Sequence, residues 1–192
     1  MRITVAASCL ISALTLNAIA ATQSMSMQSP ATSKVATLTN DAVPQEGQTA
    51  PKFSLPSQGG EHDSLATFKG KWIVLYFYPE DFTAGCTREA HNFQRDADQF
   101  AKLNAIIVGV SVDSVDSHKQ FCAKEGLNIK LLSDSSRRVS AQYGSLDEKS
   151  QMARRNTFLI SPSGKIAKEW INVSPAEHST EVLAAIKTLK RG

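Results

Sequence analysis

The feature that most constrains the fold is a strand-to-helix stretch at residues 73–93, with one cysteine near its turn. Residues 73–78 read Ile-Val-Leu-Tyr-Phe-Tyr, an apolar run of β-branched and aromatic side chains that is typical of a buried strand. Pro79 ends this run, and residues 89, 90, 93, 97, 100 and 103 then follow a helical spacing. The order predicts a strand that leads into a helix, with Cys86 in or just before the first helical turn.

This position predicts an ionised side chain for Cys86. The free backbone N–H groups and the positive end of the helix dipole lie at a helix N-terminus, where they favour an anion. We therefore expect a thiolate at neutral pH, which is the nucleophilic form of cysteine. The alternative is that Cys86 is only a small buried hydrophobic residue, as many helical cysteines are.

The first twenty residues have the pattern of a secretory signal peptide. Arg2 is a short basic region, residues 3–20 carry no charge, and the Ala-Ile-Ala at 18–20 is a small-x-small cleavage site. We expect cleavage before Ala21 and export to the periplasm or the medium. An uncleaved membrane anchor is the alternative, although five Ser, Thr and Asn side chains in this stretch would make a poor membrane span.

The composition of the remaining chain indicates a flexible linker followed by one domain. Residues 21–45 are rich in Ser, Thr, Gln, Met and Ala and lack apolar periodicity, as linkers do. Residues 46–192 have the length of one ordinary domain. The chain has 21 Lys and Arg against 18 Asp and Glu, and no basic block, so we expect neither nucleic-acid nor membrane-surface binding once the signal is removed.

Strand and helix patterns alternate along the domain. The predicted order is β-β-β-α-β-α-β-α-β-β-α, in which a glycine pair at 59–60 joins two short initial strands and residues 105–112 form another buried strand. Ser114 or the residue before it can cap a helix that Gly126 ends.

The last third of the domain completes the pattern. We expect a short helix at 135–143, a strand at 155–161 and a hairpin partner at 166–173. Pro175 should open a terminal helix with one apolar face, made of Val182, Leu183, Ile186 and Leu189. This alternation predicts an α/β protein of thioredoxin-like fold, with a central mixed sheet, helices on both faces and an N-terminal β-hairpin.

Signal cleavage would remove Cys9 and leave two cysteines, Cys86 and Cys122. An even pair in an exported protein is consistent with a disulfide, because the compartment is oxidising. The histidines at 62, 91, 118 and 178 have no ligand spacing with the cysteines, so we expect no metal site.

The segment around Cys86 resembles the active-site segment of peroxiredoxins. Residues 78–90 read Tyr-Pro-Glu-Asp-Phe-Thr-Ala-Gly-Cys-Thr-Arg-Glu-Ala and contain the family pattern Pro-x-x-x-Thr/Ser-x-x-Cys. The Gly-Cys-Thr-x-Glu-Ala continuation is similar to the subgroup called PrxQ or bacterioferritin comigratory protein. Three further segments match that subgroup in order, at 112–119, 131–134 and 155–160, so the resemblance extends over residues 48–190.

The resemblance implies a thiol peroxidase of antioxidant defence that acts on hydrogen peroxide and organic hydroperoxides. Cys86 would be the peroxidatic cysteine, which attacks a peroxide oxygen and becomes a sulfenic acid. It also implies that no cofactor is needed, that a thioredoxin-like reductant recycles the enzyme, and that the protein is a monomer.

Three other residues match active-site positions of the family. Arg155 would stay protonated and stabilise the thiolate and the polarised peroxide. The Thr83 hydroxyl can donate and accept hydrogen bonds and so orient the peroxide, and Pro79 would shape the loop around the sulfur. The alternatives are that Thr83 is only a helix cap, Pro79 only a strand end and Arg155 a surface residue. Glu89 is a weaker candidate for ordering an arginine.

The second cysteine departs from a common arrangement of the subgroup. Many members carry a resolving cysteine five residues after the peroxidatic one, where this chain has His91. Some members place it on the helix after the next strand, where Cys122 lies. We hypothesise that Cys122 attacks the Cys86 sulfenic acid and closes a disulfide, which requires local unwinding. The alternative is that Cys122 packs in the core in a stripe with Val115.

Two other functional classes fit the sequence less well. A thioredoxin-type oxidoreductase needs Cys-x-x-Cys, but residue 89 is a glutamate. A copper-delivery module on a similar fold would need Cys-x-x-x-Cys, but residue 90 is an alanine.

Overall fold

The computed structural model describes residues 43–191, which form a sheet with helices packed on it. In this part of the chain the elements are, in order, β1 (Ser54–Pro56), β2 (His62–Ser64), β3 (Trp72–Phe77), α1 (Ala84–Lys102), β4 (Ala105–Ser111), α2 (Val115–Glu125), β5 (Lys130–Ser133), α3 (Arg138–Gln142), β6 (Thr157–Ile160), β7 (Ile166–Trp170) and α4 (His178–Leu189). This order of strands and helices is the predicted one.

The five-stranded sheet has the order β5-β4-β3-β6-β7, with β3 at its centre. β3 runs parallel to β4 and antiparallel to β6, while β1 and β2 form a separate antiparallel hairpin. The parallel pairs need crossovers, and α1 and α2 provide them. The predicted mixed sheet and N-terminal hairpin are therefore confirmed.

β3 is buried on both faces, which explains its uninterrupted apolar sequence. Side chains of β3 point alternately to the two faces of the sheet. Those on one face pack against the hairpin and α3, and those on the other face pack against α1, α2 and α4. Helices thus lie on both faces, as predicted, but unevenly. Three helices cover the face that carries Cys86, and one short helix with the hairpin covers the other.

The helix ends follow the expected local chemistry in α2 and depart from it elsewhere. The Ser114 hydroxyl accepts a hydrogen bond from the Ser117 backbone N–H at 3.1 Å, and Gly126 ends the helix at φ 65°. α4 begins at His178, three residues after Pro175, and its Leu189 is 43% exposed, so the predicted apolar face is one residue too long.

Other predicted boundaries also shift by a few residues. α3 begins at Arg138 because residues 135–137 form a turn, in which the Ser136 hydroxyl donates to the Asp134 carboxylate at 3.0 Å. β6 and β7 are shorter than the predicted strands at 155–161 and 166–173.

The N-terminal predictions fall mostly outside the described residues. The signal peptide, its cleavage site and residues 21–42 of the predicted linker lie there. The last part of that linker is packed, because Val43 is partly buried against the core. Just beyond it, the Gly47 N–H donates to the Ile166 carbonyl at 2.8 Å. Within residues 43–191, no helix combines the length and apolar character that crossing a membrane requires.

Candidate active site

Cys86 is the third residue of α1, in the first turn of that helix, and only 2% of its surface is exposed. The chain leaves β3 at Phe77, turns through residues 78–83 and enters α1, whose first backbone hydrogen bond joins the Thr87 N–H to the Thr83 carbonyl at 2.9 Å. No acidic residue occupies the first turn of α1, so the positive end of the helix is uncompensated within that turn. The predicted placement of Cys86 at a helix start is confirmed.

Arg155 contacts the sulfur directly. Its Nη2 donates to the Cys86 Sγ at 3.3 Å, and its Nη1 donates to a carboxylate oxygen of Glu89. Arg155 lies two residues before β6 rather than within the strand as predicted, and its side chain is only 16% exposed. The guanidinium therefore lies between a sulfur and a buried carboxylate, and is not a surface group.

The two charged partners of this contact influence each other. Burial tends to lower the pKa of Arg155, but the negative charges of Glu89 and Cys86 outweigh burial and raise it. Burial raises the pKa of Glu89 to about 7, against the opposing attraction of Arg155. One oxygen of Glu89 is buried without a hydrogen-bond partner, which is the physical reason why its charged form is disfavoured. Glu89 thus titrates near neutral pH, next to the group that contacts Cys86.

Thr83 and Pro79 flank the turn that leads to Cys86. Thr83 is the residue at the N-cap of α1, but its side chain does not cap the helix, because its hydroxyl donates to the Glu80 carbonyl at 3.1 Å. This fixes the hydroxyl and leaves its lone pairs free to accept a hydrogen bond. Pro79 is half-buried at the start of the turn. The structure does not join either residue to the sulfur by a hydrogen bond.

Gly85 has a role that sequence reasoning missed. A Cβ at this position would lie 3.3 Å from the Nη2 of Arg155, which is closer than nearly all real Cβ contacts. The missing side chain therefore lets the guanidinium approach the first turn of α1. The sequence did contain a signal for this role, the glycine that precedes Cys86 in the segment at 78–90. Its partner Arg155, however, lies 70 residues away in the sequence.

Asp81 is the second feature that sequence reasoning missed. Its carboxylate is buried and accepts hydrogen bonds from the Tyr78 hydroxyl at 2.8 Å, the Ser117 hydroxyl at 2.7 Å and His118 Nδ1 at 2.9 Å. Burial tends to raise the pKa of Asp81, but these donors outweigh it and hold the pKa below its ordinary value. The Asp81 N–H in turn donates to the Asp113 carboxylate at 3.0 Å.

Potential ligand atoms of Asp81, Asp113 and His118 lie within 4.8 Å of one another, which is a spacing that metal ligands can have. Protein donors already bind both carboxylates, since the Ser111 hydroxyl donates to Asp113 at 2.6 Å. The hydrogen-bond network by itself accounts for this cluster. The expectation that the protein holds no metal stays a prediction.

Cys122 lies on α2, half-buried, and neither Cys86 nor Cys122 is in a disulfide. Burial, and then the negative charge of Asp81, raise the pKa of Cys122 to about 11. The alternative of a core position is met in part, because Cys122 is partly buried against the hydrophobic core, although the fully buried residues of α2 are His118 and Phe121. In this conformation Cys122 is therefore protonated and only partly accessible.

Comparison with known proteins agrees with this geometry. Residues 46–169 match the model of the AhpC/TSA family. Peroxiredoxin Bcp of Bacillus subtilis is 39% identical over 149 residues, which cover 74% of this chain and 95% of the relative. The chloroplastic peroxiredoxin Q of Sedum lineare is 38% identical over 147 residues, covering 76% of this chain and 79% of the relative.

Solved structures of the same group share the fold. A PrxQ variant of Xylella fastidiosa superposes with a TM-score of 0.74 at 34% identity, over 78% of this chain and 99% of that one. The bacterioferritin comigratory protein of Xanthomonas campestris, studied for its alkyl peroxide reduction, has a TM-score of 0.71 at 35% identity, over 76% of this chain and 99% of that one.

The family match, the identity over 79–95% of the length of the two relatives and the shared thioredoxin-like fold lead to one conclusion. The chain belongs to the AhpC/TSA family and, within it, to the peroxiredoxins of the Bcp and PrxQ group.

Proposed function

We propose that this peroxiredoxin reduces hydrogen peroxide and organic hydroperoxides with Cys86 as the peroxidatic nucleophile. The observation that carries the proposal is the Arg155 Nη2 donor 3.3 Å from the Cys86 sulfur, at the positive end of α1. A fixed cation beside a helix N-terminus stabilises a thiolate, and the same donors can stabilise negative charge on a departing oxygen.

In the first step the thiolate of Cys86 attacks one peroxide oxygen. The S–O bond forms while the O–O bond breaks, so that sulfur is oxidised to a sulfenic acid and the other oxygen leaves as water or an alcohol after taking up a proton. Arg155 would hold the developing charge, and the free lone pairs of Thr83 would accept a hydrogen bond from the peroxide. Pro79 would limit access of water to the sulfur by occupying the turn.

In the second step the sulfur of Cys122 attacks the sulfenic sulfur of Cys86, forming a disulfide and releasing water. A thioredoxin-like dithiol would then reduce the disulfide by exchange. Two observations support this order: Cys86 and Cys122 are not joined in a disulfide, and burial raises the pKa of Cys122 to about 11, so that exposure of its sulfur would favour attack. One chain supplies both cysteines, which agrees with the expected monomer.

Replacing Arg155 tests the first step. We expect Arg155→Met to lower the second-order rate constant with hydrogen peroxide by roughly 10²–10³-fold, the usual cost of removing one such donor. Arg155→Lys should recover only part of the loss, because it keeps the charge but not the two-pronged geometry. Stopped-flow peroxide consumption measures both variants.

The neighbouring arginine offers the matched control. Arg154 pairs with Asp147 at 3.3 Å on the surface, so Arg154→Met should leave the rate unchanged. Cys86→Ser should consume no peroxide. Equal rates in Arg155→Met and Arg154→Met would disprove the assigned role of Arg155.

Replacing Cys122 tests the second step. In Cys122→Ser we expect the first turnover to proceed at the wild-type rate and recycling by a thioredoxin system to stop, because the sulfenic acid has no internal partner. Mass spectrometry after one equivalent of peroxide should find a Cys86–Cys122 linked peptide in the wild type. A sulfenic acid on Cys86 with Cys122 still free in the wild type would reject internal resolution.

The raised pKa of Glu89 predicts a pH dependence near neutrality. Since the folded pKa of about 7 lies above the ordinary 4.5, Glu89 contributes stability that is present below pH 4.5 and is lost as the pH rises through about 7. Glu89→Gln, which resembles the protonated form, should therefore gain stability relative to the wild type over that interval, as measured by urea unfolding.

The same titration should affect catalysis. A charged Glu89 partly neutralises Arg155, so the ratio of wild-type to Glu89→Gln peroxide rate should fall as the pH rises through about 7. A ratio that stays constant from pH 5 to pH 9 would contradict the assigned titration.

We also propose that the protein is exported, on the support of the N-terminal sequence pattern alone. Expression of the full chain in a bacterial host, followed by fractionation and N-terminal sequencing, should give a periplasmic or secreted protein that begins at Ala21. Recovery of the chain with residues 1–20 still attached would refute cleavage, and its position in the membrane fraction would support the anchor alternative.

A further inference from the structure

The turn that precedes α1 is bound by hydrogen bonds and an aromatic contact to α2, the helix that carries Cys122. We call this contact the loop–helix junction, and it comprises Tyr78, Asp81 and Phe82 on the turn and Ser117, His118 and Phe121 on α2. None of these side chains is hydrogen-bonded to either sulfur, so the junction takes no direct part in the bond-forming steps proposed above.

The inner part of the junction is polar, with Asp81 and His118 buried and Ser117 partly buried. The Asp81 side chain is 1% exposed and that of His118 is 0% exposed, with 2.9 Å between the Asp81 oxygen and the imidazole Nδ1. The Ser117 hydroxyl donates to the same carboxylate oxygen at 2.7 Å. Hydrogen bonds to a buried carboxylate are among the stronger ones in proteins, because leaving that charge without partners is costly.

The outer part is aromatic, with Phe82 exposed and Phe121 buried. The ring of Phe82 meets the ring of Phe121 edge to face, with centroids 5.1 Å apart, and Lys124 Nζ lies 5.3 Å from the Phe82 centroid. Phe82 has a φ of 62°, a left-handed conformation that an aromatic residue rarely adopts. The Phe82 ring and the neighbouring Asp81 both contact α2. These contacts stabilise the strained backbone conformation.

The junction connects the two segments that must move to form the disulfide. Asp81 and Phe82 come four or five residues before Cys86, and the α2 members come within five residues before Cys122. A disulfide needs Cα atoms about 4.4–6.8 Å apart and aligned Cβ atoms. Cys86 lies in the first turn of α1 and Cys122 in α2, and the two sulfurs are not bonded in this conformation. Closing the bond therefore displaces one of these segments, and either movement pulls on the junction.

We propose that the loop–helix junction holds the reduced enzyme in its peroxide-reactive conformation and sets the rate at which the Cys86 sulfenic acid closes onto Cys122. The residues of the junction are positioning residues, and the inference rests on the proposed resolving role of Cys122. While the junction holds, a second hydroperoxide can oxidise the sulfenic acid to a sulfinic acid, with loss of water or an alcohol. A weaker junction therefore favours the disulfide over this overoxidation.

The test compares Ser117→Ala with Gln120→Ala in the full protein. Ser117→Ala removes one donor to Asp81 and keeps the cap of α2, because the capping bond uses the Ser117 backbone N–H. Gln120 is exposed on the same helix and outside the junction, so it is the matched control. Asp81→Asn and the double variant complete a double-mutant cycle.

We expect four results, three for Ser117→Ala relative to the control and one for the double-mutant cycle. The amides of α2 should exchange hydrogen roughly tenfold faster, while those of α4 keep the wild-type rate. The disulfide, followed by stopped-flow fluorescence and quenched mass spectrometry, should close faster by a similar factor, with the first-step rate unchanged. The fraction of sulfinic acid at high peroxide should fall, and the effects of Ser117→Ala and Asp81→Asn should not add.

Other outcomes overturn the proposal. Unchanged exchange in α2 would show that the junction does not restrain the helix. Faster exchange with unchanged or slower closure would show that the junction does not control resolution. Failure of the proposed function is recognised separately, since the wild type would then form no Cys86–Cys122 disulfide before any variant is made.

Discussion

The contact between Arg155 and Cys86 organises the active site. One guanidinium donates to the sulfur and to the buried carboxylate of Glu89, so its position is fixed from two sides. Gly85 leaves room for this arrangement, because a Cβ there would lie 3.3 Å from the Arg155 Nη2 and the guanidinium would have to shift by a few tenths of an ångström. The buried carboxylate holds the arginine in place but also competes for its charge, and its raised pKa places that competition near neutral pH.

The sheet makes this contact possible. Cys86 and Arg155 are 69 residues apart, yet the first follows β3 and the second precedes β6, which are antiparallel neighbours. The C-terminal end of β3 and the N-terminal end of β6 therefore lie side by side at the same end of the sheet. Strands buried on both faces resist displacement, so two closely packed strands position the segments that carry Cys86 and Arg155.

The same structure is poorly suited to the second step. Cys122 is protonated and half-buried, and the turn before Cys86 is bound to the helix that contains it. Phe82, in a left-handed conformation, stores roughly 1–3 kcal/mol of strain that opening would release. In the proposed mechanism one conformation serves peroxide reduction and another serves resolution, and the loop–helix junction is the set of contacts that we propose separates them.

The sequence alone determined whatever depends on neighbouring residues: the order of strands and helices, the caps of α2, and Cys86 at a helix start. It misplaced the starts of α3 and α4 and the exposure of Leu189, because turns and packing against distant elements decide them. It placed Arg155 near the site only through family resemblance. The tertiary structure alone decided the contact of Asp81 with α2, the burial of Glu89 against Arg155 and the close approach of Arg155 to Gly85, since each depends on a residue more than thirty positions away.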